Sequence, residues 1–329
     1  MTVQITIIGL GQVGSSIGLA LASQKNIKRV GHDKNMETAR AAQKAGAVDE
    51  AKFNLPSSIS NANIVLLCIP LNEIEDTLEI IAPDLQEGTV IMDTAPSKGT
   101  VAAWAEKHLP QGRHYVGLTP ASGAGYLHEI DLGVSSARAD LFQKGLFLIN
   151  APRSTPEQAM NLAMDLVELL GAKAMLSDTV EVDGLLASTH ILPQLIGAAL
   201  LDSTVDQPGW HEARKLAARP YATATAAFVY QDEAASLGVA AIKNRENVVR
   251  VIDAYMMSLK ELRDKISAGD DTSVATFLDD AFKARMRWLD ERFQADWDGL
   301  QKEKPDVPSF GERLSQIFMG KLKDRSKKK

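Results

Sequence analysis

A glycine-rich segment near the amino terminus has the residue types and spacing of a phosphate-binding turn. It follows a β-branched run at residues 3–8 and precedes an apolar helical pattern, and it consists of Gly9, Leu10, Gly11, Gln12, Val13 and Gly14. In such a turn the first glycine permits a tight bend, the second admits a pyrophosphate, and the third lets the helix pack on the strand. The helix N-terminus then offers amide donors to the phosphates. We predict a dinucleotide site; the alternative is a glycine-rich turn without a ligand.

An acidic residue ends the next predicted strand. Asp33 follows the run at residues 28–32, about twenty residues beyond the glycines, where a carboxylate accepts hydrogen bonds from a ribose diol. A carboxylate there repels a 2′-phosphate, and Lys34 is the only adjacent cation, so NAD is favoured over NADP. The alternative is a solvated residue at the end of a strand.

Three later strands also end at the sheet edge where open α/β folds bind ligands. Ile69 and Pro70 end the first of them and are expected to contact the cofactor, and the polar candidates after the other two are Ser97, Lys98, Thr119 and Ser122. Lys98 could pair with a substrate carboxylate, and the hydroxyls could bind the same molecule. Each segment alone is equally typical of a capped turn.

The second half of the chain contributes three further candidates. His190 and Gln194 lie four residues apart on one helix face, and the intervening Pro193 should kink that helix. His190 could act as a general base, or it could be a core histidine bonded to the backbone. Arg245, in a polar break of an apolar helix, could bind an anionic substrate or a second subunit, or simply belong to a solvated face.

Six apolar, β-branched runs position these residues. They occupy residues 3–8, 28–32, 64–69, 89–92, 115–118 and 146–149, with helical patterns between several of them. This alternation predicts a doubly wound α/β fold of the Rossmann type, with a parallel sheet covered on both faces. Beyond about residue 178 the patterns predict only helices, at residues 180–201, 232–266 and 272–302. We therefore expect a dinucleotide-binding domain at residues 1–178, an all-helical domain at 179–304 and a basic tail at 305–329.

Composition limits the class of protein. The 329 residues include 36 basic and 42 acidic side chains, a net charge of −6, although the last nine residues carry six basic groups and one acid. The acidic body argues against a nucleic-acid-binding core. A single cysteine, Cys68, excludes a disulfide framework and a structural zinc cluster, and no histidine or carboxylate spacing suggests a metal site. No uncharged apolar run reaches the roughly 18 residues of a membrane span, so we expect a cytoplasmic protein.

Five segments, in this order, resemble the prephenate/arogenate dehydrogenase family. They are GLGQVGSSIGLAL, IVLLCIP, DTAPSK, TPASG and ASTHILPQLIGAAL, and the resemblance extends over roughly residues 3–266. It implies an NAD(P)-binding domain, a helical domain that forms a homodimer, and an active site in the cleft between them. It also implies oxidative decarboxylation of an anionic substrate, prephenate or arogenate, in tyrosine biosynthesis.

The chain departs from the family pattern where the substrate would bind. The family usually has histidine at the positions of Thr119 and Gln194, and in the family the histidine at the first of these positions takes the hydroxyl proton. The serine of a DxxSxK-like segment falls at Pro96, with Ser97 adjacent and Lys98 matching, and the substrate-binding arginine has no clear counterpart. Three hypotheses follow: His190 supplies the base, the substrate is a different hydroxy acid, or the protein binds NAD without turnover.

The basic tail forms a separate question. Its apolar residues fall at helical spacing among lysines and arginines, a pattern that suits an anionic membrane or a partner protein. The alternative is a frayed, solubilising end.

Overall fold

The computed structural model describes residues 2–129, 131–229, 234–295 and 297. These fall into two compact units, residues 2–182 with Trp297 and residues 183–295, and the division lies within a helix. The basic tail lies outside the described residues.

An eight-stranded sheet forms the first unit. Its strands are β1 (Val3–Ile8), β2 (Ile27–His32), β3 (Glu50–Ala51), β4 (Ile64–Leu67), β5 (Val90–Asp93), β6 (His114–Ala121), β7 (Leu146–Asn150) and β8 (Lys173–Leu176). They are arranged in the order β3-β2-β1-β4-β5-β6-β7-β8. Every neighbouring pair is parallel except β6 and β7, which are antiparallel. The predicted doubly wound sheet is thus confirmed, but the expectation of an entirely parallel one is corrected at β7.

The central strands are apolar because helices cover both faces of the sheet. All four residues of β4 and of β5 are buried. The helices of this unit are α1 (Gln12–Ala20), α2 (Met36–Lys44), α3 (Leu55–Ile59), α4 (Leu71–Ile81), α5 (Lys98–His108) and α6 (Glu157–Leu169), and α7 (Thr179–Leu186) crosses the division. On α6 the buried residues Ala159, Leu162, Ala163 and Leu166 recur at three- and four-residue intervals, which gives the helix one apolar face.

The second unit is helical, as predicted. It contains the end of α7, a π-helical turn at Ala187–Ile191, and then α8 (Leu192–Thr204), α9 (Trp210–Leu216), α10 (Arg219–Ala226), α11 (Ala234–Lys243), α12 (Arg245–Ser267) and α13 (Asp271–Gln294). The helix expected at residues 180–201 is interrupted by the π turn, and the one expected at 232–266 is divided at Asn244. Helices α9 and α10 were not predicted.

One helical stretch has the length and composition of a membrane span. Thr179–Thr204 reaches a mean hydropathy of 1.5 in its most apolar window. Its acidic residues, Glu181, Asp183 and Asp202, lie near its two ends, and the 18 residues 184–201 between them include no acidic, lysine or arginine side chain, contrary to the expectation from the sequence. The core helix of a globular protein passes the same test of length and composition.

Candidate dinucleotide site and its polar surroundings

Backbone packing requires two of the three motif glycines. Gly9 has φ = +90°, and a Cβ atom on it would lie 2.3 Å from the carbonyl oxygen of Cys68. A Cβ atom on Gly14 would lie 2.0 Å from the carbonyl oxygen of Gly9. These glycines therefore let β1 turn sharply into α1 and let the helix pack closely on the turn.

The middle glycine faces open space instead. A Cβ atom on Gly11 would meet no heavy atom within 4 Å. Gly11 is the N-cap of α1, and no side chain caps the helix there. The first amides of an α-helix lack intrahelical partners, and the helix dipole adds positive charge at this end. Open space above such amides suits a pyrophosphate.

The structure brings Asp33 onto the glycine turn. Its Oδ2 accepts a hydrogen bond from the Leu10 N–H at 2.9 Å, and its Oδ1 accepts one from the Asn35 N–H at 2.8 Å. Each carboxylate oxygen can accept a second bond, so Asp33 retains acceptor capacity for a ribose hydroxyl.

The end of β4 reaches the same turn. The Cγ2 atom of Ile69 lies 2.7 Å from the position of a Cβ on Gly9, and Pro70 is the N-cap of α4. In the first turn of α4, Glu73 forms an ion pair with Lys34. The glycine turn, Asp33 and the end of β4 are thus brought together.

Two other motif residues contact the rest of the first unit. The side chain of Val13 packs against the hydrophobic core. Gln12 Nε2 donates to the carbonyl oxygen of Ser136 at 3.3 Å, and Ser16 Oγ accepts from the Arg138 N–H at 3.0 Å. The connection between β6 and β7 therefore lies along the first two turns of α1.

Lys98 belongs to a buried polar cluster. Its side chain is fully buried, and its Nζ lies 2.8 Å from Asp93 Oδ1. The Tyr115 hydroxyl donates to Asp93 Oδ2 at 2.6 Å. This arrangement favours an internal counter-ion over a cation that faces an anionic substrate. Ser97 is also buried, with its hydroxyl 2.9 Å from that of Thr100.

Polar groups continue along one face of β6. Alternate residues of a strand share a face, so Tyr115, Gly117 and Thr119 point the same way. A Cβ atom on Gly117 would lie 2.6 Å from Asn150 Oδ1. Within the part of the chain that the structure describes, Asn150 Oδ1 and Thr119 Oγ1 are buried and make no hydrogen bond. Ser122, just beyond β6, is half-buried.

An unsatisfied buried hydroxyl implies a missing partner, because an unmade hydrogen bond is costly in the interior. Thr119 can donate to or accept from a bound ligand. A threonine hydroxyl is not a base at neutral pH, however, so Thr119 can orient a substrate group without removing its proton.

Cys68 is chemically inert in this setting. Burial raises the pKa of its thiol to about 12, although a hydrogen bond with Thr94 acts in the opposite direction. Only the thiolate is a good nucleophile, which agrees with a structural role for Cys68 at the end of β4.

In the second unit, His190 lies within the π turn, and Gln194 lies just after it. The Leu192 N–H donates to the carbonyl oxygen of Ala187, a π-helical bond immediately before Pro193. Gln194 is buried, and its Nε2 donates to the carbonyl oxygen of His190 at 2.9 Å. Pro193 cannot donate a backbone hydrogen bond, which accounts for the local change of helix geometry.

One residue of the polar break before α12, Asn244, has a structural role. Asn244 is buried, and its Nδ2 donates to the carbonyl oxygen of Asp183 at 2.7 Å. Arg245 is exposed at the first residue of α12.

Among the residues that the structure describes, no three histidine, cysteine or acidic side chains form a group that could hold a metal ion.

Sequence reasoning missed three polar residues beside the predicted ones. Tyr115 and Asn150 lie within strands and resemble core positions, and nothing in their spacing marks them as polar partners. The proximity of Glu73 to Asp33 could have been predicted from the sequence, because β2 and β4 flank β1 in a fold of this type and the residues after these two strands meet at one edge of the sheet.

Comparison with known proteins identifies the first unit. Residues 17–176 match the family model described as the nucleotide-binding domain of prephenate dehydrogenase. In this region, just under half of the chain, the protein is similar to the prephenate dehydrogenase family. The matched region begins just beyond the glycine turn, so the geometry around Gly11 is separate evidence for nucleotide binding. This match confirms the resemblance seen in the sequence and, with the curated relatives described next, the oxidoreductase class that it implies.

Curated relatives of the family are distant. A prephenate dehydrogenase of Bacillus subtilis is 28% identical over 202 residues, which cover 61% of this chain and 53% of that protein. The chain therefore matches only about half the length of this relative. A cyclohexadienyl dehydrogenase of Zymomonas mobilis is 26% identical over 286 residues, with 86% of this chain and 94% of that protein covered.

Solved structures share the fold. The prephenate dehydrogenase of A. aeolicus, in complex with hydroxyphenyl propionate and NAD+, has a TM-score of 0.75 at 20% identity, covering 87% of this chain and 98% of that one. The Synechocystis arogenate dehydrogenase has a TM-score of 0.65 at 22% identity, covering 87% and 99%.

Proposed function

We propose that the protein is an NAD-dependent dehydrogenase that oxidises and decarboxylates prephenate or a closely related cyclohexadiene carboxylate. The observation that carries the proposal is the open space beside Gly11 at the uncapped N-terminus of α1, next to Asp33. The chemistry of these groups fits a dinucleotide. Amides of the glycine turn and of the first turn of α1, Gln12 and Val13 among them, would bind the pyrophosphate, and Asp33 would bind the adenosine ribose. Bound NAD would supply a hydride acceptor.

Substrate class is inferred from the family. The curated relatives are named prephenate and cyclohexadienyl dehydrogenases, and the A. aeolicus structure holds a hydroxyphenyl compound beside NAD+. Thr119 and Ser122, near the end of β6, are the proposed hydrogen-bonding groups of the first unit for such a substrate. Gln194 and Arg245 are the proposed substrate contacts of the second unit, with Arg245 as the cation.

The base is proposed to be His190. An imidazole can serve as a general base for the hydroxyl proton, whereas the side chains of Thr119 and Gln194 cannot. General acid–base assistance is commonly worth about 10²–10⁴ in rate, so the identity of the base determines whether turnover is fast.

The test is steady-state formation of NADH with prephenate and then with arogenate. We expect turnover with at least one of them, and a loss of several hundredfold in His190→Ala with an unchanged melting temperature. Thr119→His restores the residue type of the family and should raise turnover if β6 contributes to the site. A large loss of stability with retained turnover in His190→Ala would make the histidine a core residue.

Two alternatives are separated by the same assay. A dehydrogenase for another hydroxy acid would bind NAD and turn over neither compound until its own substrate is supplied. A non-catalytic NAD-binding dimer would bind NAD and turn over no hydroxy acid at all. The substitution of Thr119 for a histidine is the observation that favours these alternatives.

Assembly and location are part of the proposal. We propose a cytoplasmic homodimer formed through the helical unit. Large apolar side chains are exposed on its last two helices, at Met256, Met257, Leu278, Phe282 and Phe293. A second copy that covered them would remove apolar surface from water.

A further inference from the structure

Two acidic side chains, rather than one, are placed near the end of β2. Asp33 follows this strand directly, and Glu73 stands in the first turn of α4, which follows β4. Both strands pair with β1, one on each side, so their carboxyl ends reach the same edge of the sheet. The Lys34–Glu73 ion pair joins these two strand ends.

Lys34 occupies a position that bears on cofactor choice. In dinucleotide folds an acidic residue after the second strand accepts the ribose hydroxyl of NAD, and a nearby cation accommodates the 2′-phosphate of NADP. This chain has both residue types side by side. The Lys34 side chain is 65% exposed and that of Glu73 only 28%, so the pair joins a largely exposed ammonium to a more buried carboxylate.

The ion pair changes what a 2′-phosphate would meet. A phosphate monoester carries about two negative charges at neutral pH. Beside Asp33, the phosphate would be repelled directly by the Asp33 carboxylate. It would also gain little attraction from the Lys34 ammonium, because the Glu73 carboxylate already compensates that charge. A ribose hydroxyl, being neutral, suffers neither cost.

We propose that Glu73 is a specificity-determining residue, which selects NAD over NADP by engaging Lys34. The proposal rests on the dinucleotide-binding function proposed above, and it adds a second determinant to Asp33. Glu73 acts through Lys34 and need not touch the cofactor.

The experiment measures the affinities of NADH and NADPH by fluorescence titration, without substrate. Glu73→Gln should improve the affinity ratio in favour of NADPH roughly fivefold, the scale of an exposed ion pair. Asp33→Ser should improve it further, and Asp33→Ser/Glu73→Gln should exceed the product of the single effects, because the phosphate then meets no Asp33 carboxylate and approaches a Lys34 that is no longer paired with Glu73. Lys34→Gln added to Glu73→Gln should cancel the gain.

The matched control is Glu75→Gln. Glu75 lies two residues along the same helix, has a similarly exposed side chain at 32%, and pairs with Lys107 at 2.7 Å. The Glu75→Gln substitution removes the same charge without changing a partner of Lys34 in that ion pair, so the ratio of NADH to NADPH affinities should stay at its wild-type value. Melting temperatures of all variants establish that they are folded.

Three results would overturn the proposal: an unchanged ratio in Glu73→Gln, an equal gain in Glu75→Gln, or a gain that persists without Lys34. The wild-type protein tests the underlying function separately. If it binds neither dinucleotide, the proposed function fails and this inference fails with it. If it binds NADH and Glu73→Gln leaves the ratio unchanged, only the role of Glu73 is refuted.

Discussion

Gly11 and Gly14 stand one helical turn apart, yet they serve different purposes. A side chain on Gly14 would collide with the backbone of the turn, whereas one on Gly11 would enter open space. The motif therefore combines a packing requirement with a ligand requirement, and alanine substitutions can separate the two.

We expect Gly14→Ala to lower the melting temperature markedly, because its Cβ would lie 2.0 Å from the Gly9 carbonyl oxygen. Gly11→Ala should leave the melting temperature almost unchanged, since its φ of −67° suits any residue. It should nevertheless weaken NAD binding at least tenfold by filling the space for the pyrophosphate. Thermal denaturation and NAD titration measure both effects. Unimpaired NAD binding by Gly11→Ala would place the phosphates elsewhere.

Lys98 shows how burial alters the role of a charged residue. Removing one member of a buried ion pair leaves the other charge uncompensated, at a cost of about 3–5 kcal/mol. We therefore expect Lys98→Met to reduce the free energy of unfolding in urea by about this amount. Lys107→Met, which removes an exposed lysine from the same helix, should change it little. Equal effects of the two substitutions would contradict a stabilising role for the Asp93–Lys98 pair.

At the scale of elements, the sequence pattern located the strands of the central sheet and missed those near its edges. Residues 64–69 and 89–92 are continuous apolar runs, and strands β4 and β5 overlap both, because burial on two faces demands such runs. Strand β3 has only two residues, and β8 exposes three of its four residues, so neither leaves a periodic signal.

The direction of β7 could not be predicted from its residues either. An apolar run such as LFLI suits a parallel or an antiparallel neighbour equally, and the connection from β6 is long enough for either direction. The candidate site, too, could be predicted from the sequence only in part. The glycine turn and Asp33 have a recognisable spacing, whereas the Asp93–Lys98–Tyr115 cluster depends on side chains that meet only in the folded sheet.

The start of α12 gives a prediction at this scale. Asn244 links the helix to α7 through the Asp183 carbonyl oxygen, and it also accepts a hydrogen bond from Asn247 Nδ2 at 2.9 Å. Asn244→Ala should therefore destabilise the protein by about 1–3 kcal/mol. The exposed neighbour provides the control, since Arg245→Ala should leave the urea midpoint nearly unchanged. A reversed order of the two effects would show that Arg245, not Asn244, anchors the helix.

At the scale of the whole molecule, the proposed dimer follows from unburied apolar surface. The side chains of Met257 and Phe282 are 73% and 61% exposed on α12 and α13. Met257→Glu/Phe282→Glu should convert the dimer to a monomer in analytical ultracentrifugation, because each carboxylate would have to be desolvated in the interface. Ile80→Glu changes a 51% exposed side chain on α4 and should leave the dimer intact. A monomeric wild-type protein would refute the proposal.

The reversed strand β7 has an evolutionary consequence. Because β6 and β7 are antiparallel, the chain leaves the sheet after Ala121 and re-enters it at Leu146 on the same edge, where its connection contacts α1 through Ser136 and Arg138. Insertions and deletions in this connection need not shift the register of any strand. It is therefore the segment through which a lineage can remodel the surroundings of the glycine turn while inheriting the sheet unchanged, and the natural target for libraries that vary loop length.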